Sequence, residues 1–340
     1  MSTIQESAVD SQVETVDVPT KKAMGLGRAA SWIMLIALLI VPLFVKNFVI
    51  FQITMVLIYG IAVLALNILT GGSGQFSLGQ SAFYAIGAYT AAILIEHGGV
   101  NYVLTLPIAG IVCFAVGFLF GFPALRLSGI YLALATYAFA VAMPQLLKLG
   151  VFEHWTGGVQ GLVVTKPDAP FGLPISQDMW LYYFTLAVSI AIYIASVNLL
   201  RSRSGRAMMA IRDNEIAASA MGVDLSVYKT LAFGVSAGIT GVAGALGAIA
   251  VQFVAPDSYT FQLAIALFLG MVVGGVGWLP GSLAGAAFIV FVPNIAEGIS
   301  KGLSGAFFGV LLFAVIYLVP HGARQGAIYA ETLINKFRRS

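Results

Sequence analysis

Long apolar stretches run along most of this chain and are separated by short polar or glycine-rich segments. A helix that crosses a bilayer needs about 20 apolar residues at a rise of 1.5 Å each. Ten stretches are predicted as spans: 31–46, 49–69, 76–96, 101–122, 129–149, 180–200, 229–254, 261–277, 280–297 and 303–319. The first is short, the third begins in a glycine-rich segment typical of re-entry, and Trp278 and Leu279 alone separate the eighth from the ninth. The pattern predicts an all-α polytopic membrane protein with about 8–10 transmembrane helices.

Composition agrees with a lipid environment. Of the 340 residues, 59% are hydrophobic and 9% are charged, whereas about 25% are charged in a soluble domain. The single cysteine, Cys113, excludes an intramolecular disulfide. Residues 1–30 are polar and predict a disordered cytoplasmic tail rather than a cleaved signal peptide. A transmembrane domain is predicted over 31–326, followed by a cytoplasmic C-terminal tail at 327–340.

The basic residues predict the orientation. With the N-terminus inside and ten alternating spans, every arginine falls on the inner side. The outer segments carry Lys46, Lys148, Lys166 and Lys301. Because Lys and Arg accumulate in cytoplasmic loops, this distribution predicts that both termini are cytoplasmic.

Residues 201–228, here called the charged loop, are the strongest candidate for a contact with a soluble partner, because charge is concentrated there between two apolar spans. Asp213 is predicted to cap a short helix. Glu215 lies in its first turn, where the helix dipole favours negative charge, and Gly222 marks its end. A solvated loop is the alternative interpretation.

The longest outer segment, 150–178, contains Thr156-Gly157-Gly158-Val159-Gln160-Gly161-Leu162 and three prolines. These residues favour a structured loop with tight turns. The loop is either a plain connector or an outer gate or docking lip.

The richest polar cluster within the predicted spans is 70–80. The predicted substrate-pathway residues are Gly72, Gly74, Gln75, Ser77, Gln80 and Thr136. Unwound backbone at membrane depth needs protein or a water-filled cavity around it, and the amides of 77–80 would attract a carboxylate at a helix N-terminus. The alternative is a close-packed helix contact. The segment 72–83 also resembles 275–288, which suggests an internal repeat with broken helices.

The spans lack Asp, Glu, Lys, Arg and His near their centres. This argues against a proton-coupled carrier and leaves sodium coupling open. His97, His154 and His321 are interpreted as isolated, so a metal site is not predicted. There is no phosphate-binding loop, so any ATP must be hydrolysed by another chain. No catalytic constellation indicates an enzyme.

The segment Glu215-Ile216-Ala217-Ala218-x-x-x-Gly222 resembles the Glu-Ala-Ala-x-x-x-Gly coupling motif of ABC importer permeases, with Ile216 inserted. Other blocks resemble the permeases of branched-chain amino acid ABC transporters, the LivH/LivM family: 66–71, 74–80, 86–91, 126–136, 156–162, 204–207, 211–215, 220–222, 273–277 and 320–322. The blocks 129–136 and 156–162 are similar to the LivM-like branch. Gln80 departs from the family, where a His is expected, and the residues around Pro320 and Gly322 also differ.

The resemblance implies a permease domain in a bacterial inner membrane, with no enzyme activity and no cofactor bound by this chain. The implied partners are a second, LivH-like permease subunit, two cytoplasmic ATP-binding subunits that carry ATP and Mg, and a periplasmic substrate-binding protein. The substrates implied are branched-chain amino acids or a related small polar solute. A passive channel or a sodium-coupled carrier for a small neutral solute, such as urea or an amide, is the alternative.

By the same resemblance, the charged loop would contact an ATPase subunit and couple hydrolysis to alternating access. The ATPase-coupling residues are predicted to be Arg206, Arg212, Asp213, Glu215, Ala218 and Gly222.

Overall fold

A computed structural model describes residues 38–124, 127, 129–168, 176–299 and 309. Internal contacts divide the chain into a larger unit, Val45–Ala327, and a smaller one, Met1–Phe44 with Ile328–Ser340. The described part of the smaller unit, 38–44, contains a 3-10 turn at Val41–Leu43. The predicted tails lie outside the described residues, as do 31–37 of the first predicted span and nearly all of the tenth.

The larger unit consists of helices joined mostly by short loops. In chain order they are α1 (Asn47–Asn67), α2 (Gln80–Glu96), α3 (Tyr102–Ala124), α4 (Ile130–Leu147), α5 (Glu153–Thr156), α6 (Gln177–Arg201), α7 (Arg203–Asp213), α8 (Glu215–Ala220), α9 (Leu225–Val251), α10 (Phe261–Gly274) and α11 (Gly281–Ile299). A π-helical turn, Ile68–Gly72, continues α1, and a 3-10 turn, Pro256–Tyr259, precedes α10. Strand β1 (Leu162–Val163) pairs antiparallel with β2 (Phe253–Val254).

Six helical segments among the described residues are long and apolar enough to cross a membrane. They are Asn47–Gly72, Tyr102–Pro123, Ile130–Leu147, Gln177–Arg201, Leu225–Val251 and Pro256–Gly274. The prediction of an all-α polytopic membrane protein is confirmed. Several span limits shift. The third span becomes helical at Gln80 rather than at 76, and the loop between the eighth and ninth spans runs over 275–280.

Helices α1 and α9 form the centre of the larger unit. Helix α9 packs on α1, α2 and α3, and α1 also packs on α6 and α11. Glycines in α9 allow the backbones to approach closely. A Cβ on Gly241, for example, would overlap Cys113 of α3. The Cys113 thiol is buried there and donates to the Phe83 carbonyl at 3.4 Å.

The outer faces of α3 and α4 are apolar and exposed. Leu104, Ile111 and Leu119 on α3 are exposed over more than half of their surface, as are Tyr131 and Leu134 on α4. In an aqueous protein such faces would be covered, whereas on membrane helices they suit contact with lipid chains.

The loops gather at two ends of the larger unit. One end carries the charged loop and is here called the charged end. There, Arg212 of the charged loop contacts the π-helical turn, and Asn67 contacts the 275–280 loop. At the opposite end, His97 contacts Trp155, and β1 pairs with β2. Segments predicted to be inside therefore meet at one end, and segments predicted to be outside meet at the other, as alternating spans require.

Candidate coupling and pathway site

The charged loop folds into two helices, α7 and α8, with a sharp break between them. Asn214 has an extended backbone at φ −161°, and its Oδ1 accepts from the Ala217 amide at 2.9 Å. This caps α8 at its N-terminus. The predicted short helix is therefore present, but the predicted cap is wrong. Asp213 is the last residue of α7, and the break falls one residue later.

Helix α8 is anchored at both of its ends. Gly222 ends it with φ +83°, a left-handed conformation that favours glycine, as the sequence predicts. Lys229 Nζ donates to Glu215 Oε1 at 2.7 Å and so connects the first residue of α8 to α9. Ala218 is buried, with 4% of its surface exposed. The six-residue helix is therefore connected to α9 through Glu215 and packed through Ala218.

Two large apolar side chains project from this anchored segment. Ile216 is 83% exposed and Met221 is 85% exposed. Neither was predicted as a contact residue, and Ile216 was interpreted only as an insertion in the motif. Large exposed apolar groups beside the charged side chains of this loop indicate a surface suited to a protein partner.

The two predicted arginines face different neighbours. Arg206 Nη1 donates to the Arg201 carbonyl at 2.9 Å, within the charged loop. Arg212 Nη1 donates to the Gly71 carbonyl at 2.6 Å, while its Nε and Nη2 donate to Asp213 Oδ1 at 2.9 and 2.8 Å. Arg212 therefore joins the charged loop to the π-helical turn after α1.

Residues 74–79 leave helical geometry, and polar side chains of this segment and of the preceding turn stabilise it. Thr70 Oγ1 donates to the Gln75 carbonyl at 3.1 Å. Gln75 Nε2 donates to Ser73 Oγ at 2.9 Å and to the Lys229 carbonyl at 3.1 Å. The predicted pathway residue Gln75 is thus buried and bonded within the charged end.

The two predicted pathway glycines lie against other side chains of this end. Gly74 has φ +73°, and a Cβ there would be 3.0 Å from Arg212 Cγ. A Cβ on Gly72 would be 3.2 Å from Leu200 Cδ2 of α6.

The start of α2 is held by two hydroxyl groups. The Leu78 amide donates to Thr136 Oγ1 at 2.9 Å, and the Gly79 amide donates to Ser77 Oγ at 3.2 Å. Ser77 and Thr136 are both almost completely buried. Two of the amides expected to attract a carboxylate are therefore already bonded, which favours close packing in this state. The pathway role of these residues stays a prediction.

Gln80 lies in a buried polar network between α1, α2 and α9. Its Nε2 donates to Ser236 Oγ at 2.9 Å, and Thr240 Oγ1 donates to its Oε1 at 2.8 Å. Ser236 Oγ in turn donates to the Ala65 carbonyl at 2.8 Å. Ser236 and Thr240 were not predicted as contact residues. Their signal was two hydroxyl groups spaced i, i+4 on one face of a helix.

Asn67 was also missed as a contact residue. Its Oδ1 accepts from the Gly277 amide at 2.6 Å, and its Nδ2 donates to the carbonyls of Gly275 and Trp278, each at 3.2 Å. The signal was an amide side chain inside an apolar span. Asn67 and Gly71 lie just before the first similar segment and contact Gly277 of the second, and both segments interrupt helices. The duplication itself stays a prediction.

The predicted outer loop, 150–178, is structured over its described part. Gly161 has φ +74° and lies so close to the Val254 carbonyl that a Cβ would overlap it. Lys148 Nζ and Asp257 Oδ1 form an ion pair at 2.6 Å across the same end. The tight turns are confirmed. The choice between a connector and a gate or docking lip stays open.

Two of the three histidines meet at this opposite end. The rings of His97 and His154 have centroids 6.0 Å apart, and both contact Trp155. The interpretation of these two as isolated residues was wrong, because residues 97 and 154 are distant in sequence. His321 lies outside the described residues.

A groove of about 290 Å³ runs between α1 and α11, in the half of each helix nearer the opposite end. Its walls are mostly apolar, and Gln52 and Asn294 contribute amide groups. The predicted pathway residues do not line it. They lie at the charged end and at the start of α2.

These features define a multi-pass membrane protein with an anchored, partly apolar projection at its charged end. Comparison with known proteins gives the particular class. The chain belongs to the family described as the permease component of branched-chain amino acid transport systems, whose model matches residues 48–319.

Individual relatives agree with this assignment. The chain is 36% identical over 292 residues to the high-affinity branched-chain amino acid transport system permease protein LivM of Salmonella typhimurium, covering 79% of this chain and 68% of the relative. It is 35% identical over 272 residues to LivM of Escherichia coli K12, covering 72% and 64%. The autoinducer 2 import system permease protein LsrC of Salmonella paratyphi B is 26% identical over 242 residues, covering 68% and 67%.

The matched part therefore spans 68%, 64% and 67% of the length of these three relatives. No solved structure matches the chain.

Proposed function

We propose that this protein is the permease subunit of an ABC importer and forms the transmembrane path for branched-chain amino acids or a related small polar solute. Separate ATPase subunits power it. The observation that carries the proposal is the segment 214–222, which exposes Ile216 and Met221. Asn214 caps α8, and Glu215 connects α8 to α9 through Lys229. An isolated helix of this length is unstable in water, so a fixed and exposed one is suited to a partner's groove.

The partners follow from this assignment. Two cytoplasmic ATP-binding subunits, carrying ATP and Mg, would receive α8, and a second, LivH-like permease would complete the path. A periplasmic binding protein would deliver solute at the opposite end. The positive-inside rule supports a cytoplasmic charged end in a bacterial inner membrane, because Arg201, Arg203, Arg206 and Arg212 all lie there.

The substrate proposal rests on the relatives. Two relatives above 30% identity are named as branched-chain amino acid permeases, and a relative at 26% is named for autoinducer 2 import. We therefore place leucine, isoleucine and valine first among the candidate solutes.

Reconstitution of the chain with its encoded partners in proteoliposomes tests the proposal. We expect uptake of labelled leucine that requires ATP, the ATPase subunits and the binding protein. Met221→Asp should prevent co-purification of the ATPase, since it places a charge on the proposed contact surface. Val151→Asp is the matched control, because Val151 is also 85% exposed but lies at the opposite end. Uptake by the purified chain alone, with or without a sodium gradient, would instead establish a carrier or a channel.

A further inference from the structure

Asn67 uses its whole side-chain amide on one short loop. Its Oδ1 accepts from Gly277, and its Nδ2 donates to the carbonyls of Gly275 and Trp278. The side chain is 1% exposed. A buried amide that lost these partners would remain unsatisfied at a cost of about 1–3 kcal/mol. The position of Asn67 and the position of the loop are therefore tightly linked.

That loop is the tip of a close-packed helical hairpin made of α10 and α11. A Cβ on Gly281 would overlap the Gly274 carbonyl, and a Cβ on Gly285 would overlap the Gly270 carbonyl. Because their backbones are in direct contact, α10 and α11 cannot slide past each other unless they first move apart. The two helices are therefore expected to move together when the tip is displaced.

The π-helical turn after Asn67 contacts the charged loop on its other side. The Gly71 carbonyl accepts from Arg212 Nη1 at 2.6 Å. A Cβ on Gly71 would lie 2.6 Å from the backbone of Gly277, so the same residue also packs against the hairpin tip. π-Helical turns within helices are rare and occur frequently at functional sites. This turn is the point where the two contacts meet.

We infer that Asn67 is a positioning residue, which with Arg212 makes the π-helical turn a relay between the charged loop and the α10–α11 hairpin. The inference rests on the proposed function and deepens it. A displacement of α8 would move α7 and Arg212 with it. Arg212 would then shift the Gly71 carbonyl, and Asn67 would pass the shift to the hairpin tip. Coupling requires that a change at one site alters the other, so the test changes Arg212 and measures the hairpin tip.

Hydrogen exchange of the purified chain supplies that test. Arg212→Met removes the bond to Gly71 without touching the hairpin tip. We expect amides in 275–281 to exchange at least about fivefold faster, the lower end of typical coupling between sites. Arg203→Met is the matched control, since it removes an exposed arginine from the same helix. Equal exchange at the tip in the two variants would overturn the relay.

A second measurement separates a relay from a purely structural role. In the assembled transporter, Asn67→Leu should keep ATP hydrolysis but lower the solute moved per ATP by about fivefold or more. Thr54→Val is the control, because Thr54 is equally buried on α1 and bonds only its own helix, at the Ile50 carbonyl. A merely structural role would lower the amount of assembled complex and leave the ratio unchanged, which would contradict the inference.

The two proposals fail in different ways. If the wild-type complex neither hydrolyses ATP nor transports, the proposed function is wrong. The exchange experiment then still decides whether the π-helical turn connects the charged loop to the hairpin.

Discussion

Glu215 and Lys229 form an ion pair, with 2.7 Å between Oε1 and Nζ, that connects the start of α8 to the first turns of α9. The Lys229 side chain is 13% exposed and that of Glu215 is 53% exposed. Pairs that are partly open to water contribute about 0.2–1 kcal/mol to stability. The contact therefore matters more for where α8 points than for whether the protein folds.

Reversing one charge of this pair should displace α8. We expect Glu215→Lys to reduce ATP-driven uptake several-fold at an unchanged protein level, because two ammonium groups would face each other. The double variant Glu215→Lys/Lys229→Glu should recover much of the loss. Glu96→Lys, the same charge change at the opposite end, is the control. A double variant no better than Glu215→Lys would refute this role of the pair.

The cap of α8 gives a second prediction. Asn214→Ala should accelerate exchange of the Ala217 amide about fivefold, since loss of an N-cap costs about 1 kcal/mol. Asn214→Asp should restore protection, because a carboxylate also accepts the bond. Asp213→Ala should leave the Ala217 amide unchanged. Faster exchange of the Ala217 amide in Asp213→Ala than in Asn214→Ala would instead identify Asp213 as the cap, as the sequence predicts.

The third prediction tests whether Gln80 stabilises the packing of α2 on α9 or belongs to the substrate pathway. Gln80→Leu removes both bonds to the hydroxyl groups of α9, and each such bond within a membrane is worth about 0.6–2 kcal/mol. We expect a lower Tm in detergent and an unchanged KM for the solute. Thr90→Val should have a smaller effect, because Thr90 bonds only the Ile86 carbonyl of its own helix. A changed KM without a lower Tm would instead place Gln80 in the pathway.

The outer loop gives a fourth prediction. Gly161→Ala should separate β1 from β2, because a side chain there overlaps the Val254 carbonyl and φ is +74°. Limited proteolysis should then cleave 150–178 faster. Gly150→Ala is the matched control, since its Cβ would meet nothing within 4 Å.

The same pair of variants tests the role of this loop. Uptake that falls in Gly161→Ala at low binding-protein concentration would indicate a gate or docking lip. Unchanged uptake would indicate a connector.

The apolar pattern predicted the helices well because a helix that crosses a bilayer needs about 20 consecutive apolar residues. It also located the charged loop and the end of α8 at Gly222, since both depend on local composition and glycine geometry. The start of α8 was misplaced by one residue. Met208 and Ile211 of α7 are buried against the helices, and this packing extends α7 through Asp213. The residue at which α7 ends therefore depends on tertiary contacts, which local helix propensity does not include.

The polar contacts within the site were less predictable. Gln80 meets Ser236, and Asn67 meets Gly277, across more than 150 residues of sequence in each case. A polar residue in a span signals that it needs a partner, but one sequence does not say which. The exposed apolar residues of α8 were missed for a related reason. Ile216 is apolar by type, and its position on the outside follows only from how α8 is anchored.

The burial of Cys113 has a practical consequence for labelling chemistry. It is the single cysteine of the sequence, and its thiol lies between α3 and α9 with 0% exposed surface. Water-soluble maleimides should therefore leave the native chain unmodified and react with an introduced thiol alone. A probe at Met221→Cys would then report directly, by protection from the reagent, when a partner covers α8.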